Sequence, residues 1–356
     1  MERVVAKKAR GTEAAPERLD ARSSLRSAEQ RKERAVKPQT ARAEPRVQPR
    51  AQAQAKAADK KPPHEKKNAY EKKTIALVYD FDGTLCPRPM QEYAFLPKIG
   101  VDAAAFWAES NKVALEQGAD PLITYMHLLY KKAKAAGVRI DRADLVAQGR
   151  QVELFPGVME WFDEITSYVE DHAQGNHVVV RHYLISSGLA EIIEGTPIYK
   201  RFHNVFASEY WFDAYDLPYP KRVITDTGKT QYLFRINKGV ENLAHSINQH
   251  MPENVRPVPF SHMIYFGDGD TDVPSMAVMK KSGGHAIAVH PQGKTKIKGM
   301  DLFKAGRCDF FAAADYRRDS ELWRRTCLLI DRMLADIRIE EEIWRLGREI
   351  EKKNVG

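Results

Sequence analysis

The sequence predicts an α/β fold, in which a doubly wound parallel β-sheet carries helices on both faces and a helical cap follows the first strand. Short apolar runs of strand length recur between residues 74 and 312, and segments of helical periodicity separate most of them. Strands that alternate with helices form parallel sheets, because each crossover helix packs back on the sheet. The cap is predicted from a long stretch without strand pattern after the first run.

Residues 1–70 are predicted to form a disordered basic arm of low complexity. They have too few large apolar side chains to offset the entropy of ordering. Residues 1–73 hold 21 basic and 10 acidic residues, so the arm is strongly basic and the rest of the chain is mildly acidic. A solvated extension is the favoured interpretation, and contact with nucleic acid or with an anionic membrane surface is the alternative.

The composition argues against several classes of protein. No stretch reaches the ~18 uninterrupted apolar residues of a membrane span, and the N-terminus lacks the apolar run of a secretory signal. The three cysteines, Cys86, Cys308 and Cys327, form no CxxC pair, which argues against a disulfide framework and a zinc site. The histidines show no spacing typical of metal ligands. We therefore expect a soluble cytoplasmic protein.

The core is predicted to comprise residues 71–86 and 154–356. Its first strand is the apolar run 74–79, which leads directly into Asp80 and is bounded by the turn-forming Gly83. Further strands are expected at residues 178–185, 204–207, 262–266, 285–289 and 309–312, with a hairpin excursion over residues 208–226.

Helical periodicity predicts the remaining elements. Residues 87–153 form the predicted cap, with helical spacing at 103–115, 121–135 and 142–152. A long amphipathic helix is expected over residues 320–353, packing on the sheet or, as an alternative, forming a dimer contact. Its apolar positions at helical intervals are Leu328, Leu329, Met333, Ile337, Ile343 and Leu346.

Two clusters of acidic residues follow predicted strands. Asp80 and Asp82 stand directly after the first strand, and Asp268, Asp270 and Asp272 follow the run that ends at residue 266. The carboxyl ends of parallel strands meet at one edge of the sheet, where such folds bind ligands. Clustered carboxylates raise one another's pKa unless a cation neutralises them. A hard cation bound by oxygen ligands is therefore expected at this edge.

A calcium-binding EF-hand loop is the obvious alternative for the second cluster. Asp268, Asp270 and Asp272 would occupy its first, third and fifth positions. The sixth position is Val273 where that loop needs glycine, and the twelfth is Met279 where it needs glutamate. The sequence therefore does not predict an EF-hand.

Four strings, in order along residues 74–315, resemble the motifs of the haloacid dehalogenase superfamily. They are Asp80-x-Asp82-Gly83-Thr84-Leu85, Ser186-Ser187-Gly188 after a strand, Lys229 at a helix start, and Gly267-Asp268-x-x-x-Asp272. The resemblance implies a Rossmann-like sheet with a mobile cap. Within the superfamily the chain looks most similar to the phosphoserine phosphatase branch, although the segment between Lys229 and Asp268 is longer than that branch usually has.

The resemblance implies roles for the acids. Asp80 is the expected nucleophile, which forms an aspartyl-phosphate, and Asp82 is the expected general acid and base. The expected cofactor is Mg²⁺, held by the Asp80 and Asp268 carboxylates and the Asp82 carbonyl oxygen. Asp272 is counted with the metal site and is expected to support it from behind, by fixing Lys229 or a bound water. A helix N-cap is the alternative role for Asp272.

Hydrogen-bond donors and a cation are needed for the transferred phosphoryl group. Ser186 is the expected donor, with Ser187 as the alternative if the register is shifted, and Thr84 and Gly188 complete the predicted phosphate site. Lys229 is the expected cation. The alternative cation is Lys238, nine residues further along the chain.

The predicted function is therefore the Mg²⁺-dependent hydrolysis of a small phosphomonoester. A phosphotransferase or phosphomutase of the same superfamily is the nearest alternative, since the same pair of acids serves transfer to an alcohol. The second alternative is a nucleic-acid-associated phosphatase or binding protein that uses the basic arm. The expected partner is a small phosphorylated metabolite.

Overall fold

A seven-stranded sheet forms the centre of the molecule. The computed structural model describes residues 73–212, 218–292 and 296–354, so the predicted disordered arm lies outside the described residues. The strand order is β4-β3-β2-β1-β5-β6-β7, and every neighbouring pair is parallel except β3 and β4. The strands are β1 Lys73–Tyr79, β2 Val178–Leu189, β3 Asn204–Phe212, β4 Pro218–Arg222, β5 Met263–Gly267, β6 His285–His290 and β7 Phe310–Ala313.

Helices cover both faces of this sheet, which confirms the predicted doubly wound α/β fold. The helices are α1 Phe95–Lys98, α2 Ala103–Gln117, α3 Pro121–Ala135, α4 Arg142–Gln148, α5 Val158–His172, α6 Ala190–Glu194, α7 Gly228–Lys238, α8 Val273–Lys281, α9 Lys296–Lys304 and α10 Glu321–Asn354. No helix of the described ranges combines the length and the apolar character needed to cross a membrane.

Strand β1 lies at the centre of the sheet and is buried on both sides. Its alternating side chains enter two separate apolar clusters: Leu77 and Tyr79 pack with α5 and α10, whereas Val78 packs with α7 and α8. All residues from Ile75 to Tyr79 are fully buried. A strand buried on both faces reads as a continuous apolar run, which is why the sequence shows no alternation there.

Helices α1 to α4 occupy the chain between β1 and α5, where the helical insertion is predicted. Aspartates begin three of them: the carboxylates of Asp102, Asp120 and Asp141 accept backbone N–H groups of the first turns of α2, α3 and α4. We call α1 to α4 the helical segment. Its status as a separate cap domain with boundaries at residues 87 and 153 stays a prediction.

Two glycines bring the helical segment against the sheet domain. Gly149 follows α4 and Gly195 follows α6, and a β-carbon on either would overlap a backbone carbonyl oxygen, of Ile192 or Val146 respectively. The absence of side chains therefore allows the backbones of α4 and α6 to touch. Helix α6 begins just after the predicted phosphate-binding turn, so this contact sets the helical segment next to that turn.

The long helix α10 departs in part from its prediction. Leu329, Met333 and Ile337 are buried against the sheet domain, as expected. Leu328, Ile343 and Leu346 are 55–65% exposed, so the prediction that they pack on the sheet is wrong. Ile343 and Leu346 lie beyond Ile337, the last buried position of the helix, whereas Leu328 lies among buried neighbours and faces the other side. Spacing alone marks neither the end of the covered face nor its width.

Candidate active site

The two acidic strand ends lie side by side. Strands β1 and β5 are parallel neighbours, with Tyr79 paired to Phe266. The Asp80 N–H donates to the Phe266 carbonyl oxygen at 2.9 Å, which extends the ladder by one residue. Asp80 and Asp268 therefore leave the sheet at the same edge, as the prediction of a shared cation requires.

Three carboxylates converge at this edge. One oxygen each from Asp80, Asp268 and Asp272 lies within 4.8 Å of the others. Glycines make room for them: a β-carbon on Gly83, where φ is +80°, would overlap the Asp268 carboxylate, and one on Gly267 would overlap Asp272. The sequence correctly predicts the convergence of Asp80 and Asp268, whose identity as metal ligands stays a prediction.

Lys229 enters this cluster from α7. Its ammonium group donates to Asp80 Oδ1 at 2.9 Å and to Asp272 Oδ1 at 2.7 Å, and the side chain is fully buried. Burial by itself lowers the pKa of Lys229, but the charges of Asp272 and Asp80 outweigh it and raise that pKa above the ordinary value. Lys238 points elsewhere and donates to the carbonyl oxygens of Ile247 and Gln249. Of the two candidate lysines, the structure brings Lys229 to the acids.

Both carboxylate oxygens of Asp272 are occupied by hydrogen bonds from neighbouring residues. Its Oδ1 accepts the Lys229 ammonium and, at 2.6 Å, the hydroxyl of Tyr265. Its Oδ2 accepts the backbone N–H groups of Asp268 and Gly269 at 3.1 and 3.3 Å. Asp272 does occupy the N-cap position of α8, as the alternative role expects, but its side chain makes no capping hydrogen bond to that helix. Four donors occupy both oxygens, which leaves Asp80 and Asp268 better placed to bind a cation.

The three carboxylates of the cluster can carry more negative charge than the Lys229 ammonium neutralises. Burial, followed by the charge of Asp272, raises the pKa of Asp80 well above its ordinary value, although Lys229 acts in the opposite direction. Burial also raises the pKa of Asp268 to about 6, and the charge of Asp272 adds to the rise. One ammonium group thus does not neutralise three carboxylates. A divalent cation between Asp80 and Asp268 would favour their ionised forms.

Asp82 lies beside the end of β2. Its Oδ1 accepts the Met90 N–H at 2.9 Å and the Cys86 S–H at 3.5 Å. A β-carbon on Gly188 would lie 2.0 Å from Met90 Cε and 3.1 Å from Asp82 Oδ2, so glycine makes room for the Met90 side chain next to Asp82. Burial raises the pKa of Asp82 to about 7. A carboxyl with this pKa is able both to donate and to accept a proton near neutral pH.

Of the predicted phosphate-binding residues, which are Thr84, Ser186, Ser187 and Gly188, Gly188 lies beside Asp82. Ser186 Oγ is buried and accepts the Gly188 N–H at 2.9 Å. The hydroxyls of Ser187 and Thr84 are buried and have no hydrogen-bond partner among the described residues. Buried hydroxyls are normally paired, so these two are available to a ligand. The choice between Ser186 and Ser187 stays a prediction.

Sequence reasoning missed several supporting residues. Tyr265, on β5, donates to Asp272, and the buried Tyr316 donates to the Thr84 carbonyl oxygen at 2.8 Å. Cys86, four residues after Asp82, also donates to the Asp82 carboxylate. Tyr265 lies in an apolar stretch and Tyr316 lies far along the chain, so no spacing signal connects either of them with the site.

Comparison with protein-family models gave no match for this chain. An uncharacterized protein of Borreliella burgdorferi is 28% identical over 276 aligned positions, covering 70% of this chain and 94% of that protein. Similar solved structures include a substrate-bound phosphoserine phosphatase, at 17% identity and a TM-score of 0.42, covering 70% of this chain and 96% of that one.

Two further solved structures are similar. A HAD family hydrolase from Salmonella enterica serovar Typhi aligns at 13% identity and a TM-score of 0.42, covering 66% of each chain, so this chain spans about two thirds of that hydrolase. A probable phosphoserine phosphatase from Vibrio cholerae aligns at 16% identity and a TM-score of 0.46, covering 75% of this chain and 67% of that one.

Proposed function

We propose that this chain is a Mg²⁺-dependent phosphatase of the haloacid dehalogenase superfamily, which hydrolyses a small phosphomonoester through a phosphorylated Asp80. The observation that carries the proposal is the convergence of three carboxylates with the buried Lys229 at one edge of the sheet. The four motifs that suggested the family supply every one of these residues. A purely structural role is a poor explanation, because burying more carboxylates than cations destabilises a fold.

The donor set suits Mg²⁺. This ion binds oxygen ligands, takes few of them from protein and keeps several waters. The Asp80 and Asp268 carboxylates and the Asp82 carbonyl oxygen would hold it. When bound, it would neutralise the carboxylates and the negative charge on the phosphoryl oxygens.

The side chains can divide the reaction into two steps. The Asp80 carboxylate attacks phosphorus, and the bond between phosphorus and the ester oxygen breaks while Asp82 protonates the departing alcohol. Lys229 balances the charge that spreads over the phosphoryl oxygens. In the second step Asp82 accepts a proton from the attacking water, which releases inorganic phosphate and restores the free Asp80 carboxylate.

Chemical trapping tests this assignment directly. Purified protein should release phosphate from phosphomonoesters with Mg²⁺ present, and the release should stop when a chelator removes the ion. Borohydride reduction of the protein during turnover should convert an acyl phosphate at Asp80 to homoserine, detected by mass spectrometry of the peptide. Turnover that persists with excess chelator, or a reduced residue at another aspartate, would contradict the proposal.

Replacing Asp82 with asparagine should slow phosphate release from alkyl phosphates by roughly 10²- to 10⁴-fold. Asparagine keeps an acceptor for the Met90 N–H but cannot deliver a proton. In the wild type the protonated form of Asp82 predominates below its pKa of about 7, so the first step should slow as the pH rises above that value. An aryl phosphate, whose departing phenol needs less protonation, should show a smaller loss. Equal losses for alkyl and aryl phosphates would assign Asp82 a structural role.

A further inference from the structure

Several buried polar atoms lie without partners where the helical segment faces β2 and α6. Gln91 Oε1, Glu191 Oε2 and Ser187 Oγ have no hydrogen-bond partner among the described residues. Gln91 and Glu191 are each only 2% exposed. A buried polar group without a partner is unfavourable, so a group of them calls for a ligand or ordered water.

Tyr125 of α3 connects these atoms to the candidate active site. Its hydroxyl donates to the backbone carbonyl oxygen of Ser187 at 3.3 Å. Ser187 directly follows Ser186 in the predicted phosphate site. Gln91 follows Met90, whose N–H donates to Asp82 Oδ1 at 2.9 Å and whose side chain lies against Gly188. Tyr125 and Gln91 therefore both lie at the end of β2 that adjoins the proposed general acid.

Glu191 is fixed through one of its two oxygens. Its Oε1 accepts the Tyr210 N–H at 2.9 Å, and the Tyr210 hydroxyl donates to the carbonyl oxygen of Met126, the residue after Tyr125. The same tyrosine thus holds Glu191 and contacts α3. Glu191 Oε2 is left buried and unpaired on the helix that follows the phosphate-binding turn.

The unpaired oxygens of Glu191 and Gln91 share one chemical property. The Glu191 carboxylate and the Gln91 amide oxygen accept hydrogen bonds and, in these forms, cannot donate them. A ligand that satisfies them must bring N–H or O–H groups. A carboxylate or a second phosphate at this position would meet acceptors and the charge of Glu191, which is unfavourable.

We propose that Gln91, Ser187 and Glu191, grouped around Tyr125, bind the departing alcohol of the substrate, and that this alcohol carries a hydrogen-bond donor, an ammonium or a hydroxyl group, close to its ester oxygen. This inference rests on the proposed phosphatase function and adds the substrate class to it. The position agrees with the chemistry, since Asp82, which protonates the departing oxygen, holds the N–H of Met90, the residue before Gln91.

Three phosphomonoesters of equal length test the inference: 2-aminoethyl phosphate, 2-hydroxyethyl phosphate and propyl phosphate. The wild type should hydrolyse the two donor-bearing esters with kcat/KM at least ~10-fold above that of propyl phosphate, because a site built around acceptors rejects the analogue without donors. Comparison of the two donor-bearing esters distinguishes an ammonium from a hydroxyl group.

The variant Glu191→Gln should reduce this preference by about tenfold or more, since an amide can place a donor where Oε2 stands. The ratio of kcat/KM values is the readout, because a general loss of activity does not change it. Gln91→Met, which removes only the other acceptor, should reduce the same ratio and serves if the first variant folds poorly. Glu194→Gln is the matched control on the same helix, because Glu194 pairs with the half-exposed Arg142 at the surface.

Two results would overturn the inference and leave the proposed function standing. One is equal kcat/KM for the three esters in the wild type, as expected if ordered water alone fills the group. The other is a Glu191→Gln variant that slows all three equally, which would make Glu191 a structural residue. Absence of Mg²⁺-dependent phosphate release from these esters and from nitrophenyl phosphate would reject the inference together with the proposed function.

Discussion

Replacing Asp80 with asparagine is expected to lower the rate of Mg²⁺-dependent phosphate release by roughly 10⁴-fold or more. The amide has nearly the shape of the carboxylate, and its oxygen can still accept the Lys229 ammonium, which lies 2.9 Å from Asp80 Oδ1. It cannot form the acyl phosphate. Turnover measured with the best substrate of a phosphomonoester panel, before and after the substitution, gives the size of the loss.

The same variant should be at least as stable as the wild type when Mg²⁺ is absent. The pKa of Asp80 is raised on folding, so its ionisation opposes folding, and this penalty appears as the pH rises above the unfolded-state value of 3.8. Asparagine removes that penalty. Thermal unfolding at neutral pH with a chelator checks this, and a variant that both unfolds more easily and keeps its turnover would place the nucleophile elsewhere.

Replacing Lys229 with methionine is expected to lower kcat by about 10³-fold or more. The substitution leaves the buried carboxylates of Asp80 and Asp272 without their shared cation. Loss of one partner from a buried ion pair typically costs about 3–5 kcal/mol in the free energy of unfolding. The deficit should be greatest with a chelator and smaller with Mg²⁺, which supplies positive charge to the same cluster.

Lys238 provides the matched control for this experiment. It lies on the same helix, α7, and donates only to carbonyl oxygens of the following loop, at Ile247 and Gln249, among its described hydrogen bonds. Lys238→Met should therefore retain the wild-type kcat within about twofold. Equal losses of kcat in the two variants would show that Lys229 has no special role in phosphoryl transfer.

The sequence predicts the sheet and the acidic strand ends because both depend on local patterns. Buried parallel strands give continuous apolar runs, such as the one before Asp80, and parallel strands bring their carboxyl ends to one edge. The order of the strands brings Asp80 beside Asp268, although 188 residues separate them. The sequence pattern does not distinguish Lys229 from Lys238, because a lysine in a helix looks the same in sequence whether its side chain is buried or solvated.

Other parts of the site depend on contacts that no local pattern reveals. In the sequence Tyr265 looks like an ordinary strand residue, yet its hydroxyl donates a hydrogen bond to the Asp272 carboxylate. Glu191 reads as an ordinary polar residue of a short helix, and only the packing of α3 against β2 and β3 leaves its outer oxygen buried. The exposed end of α10 has the same kind of explanation, since the extent of a covered face is a property of the whole fold.

The contact between Gly149 and Gly195 also limits which residues these two positions tolerate. A β-carbon on Gly195 would lie 1.7 Å from the Val146 carbonyl oxygen, and one on Gly149 would lie 2.1 Å from that of Ile192. Any larger residue would therefore force α4 and α6 apart. Because α6 carries Glu191, such a separation would also displace the residues proposed to bind the departing alcohol.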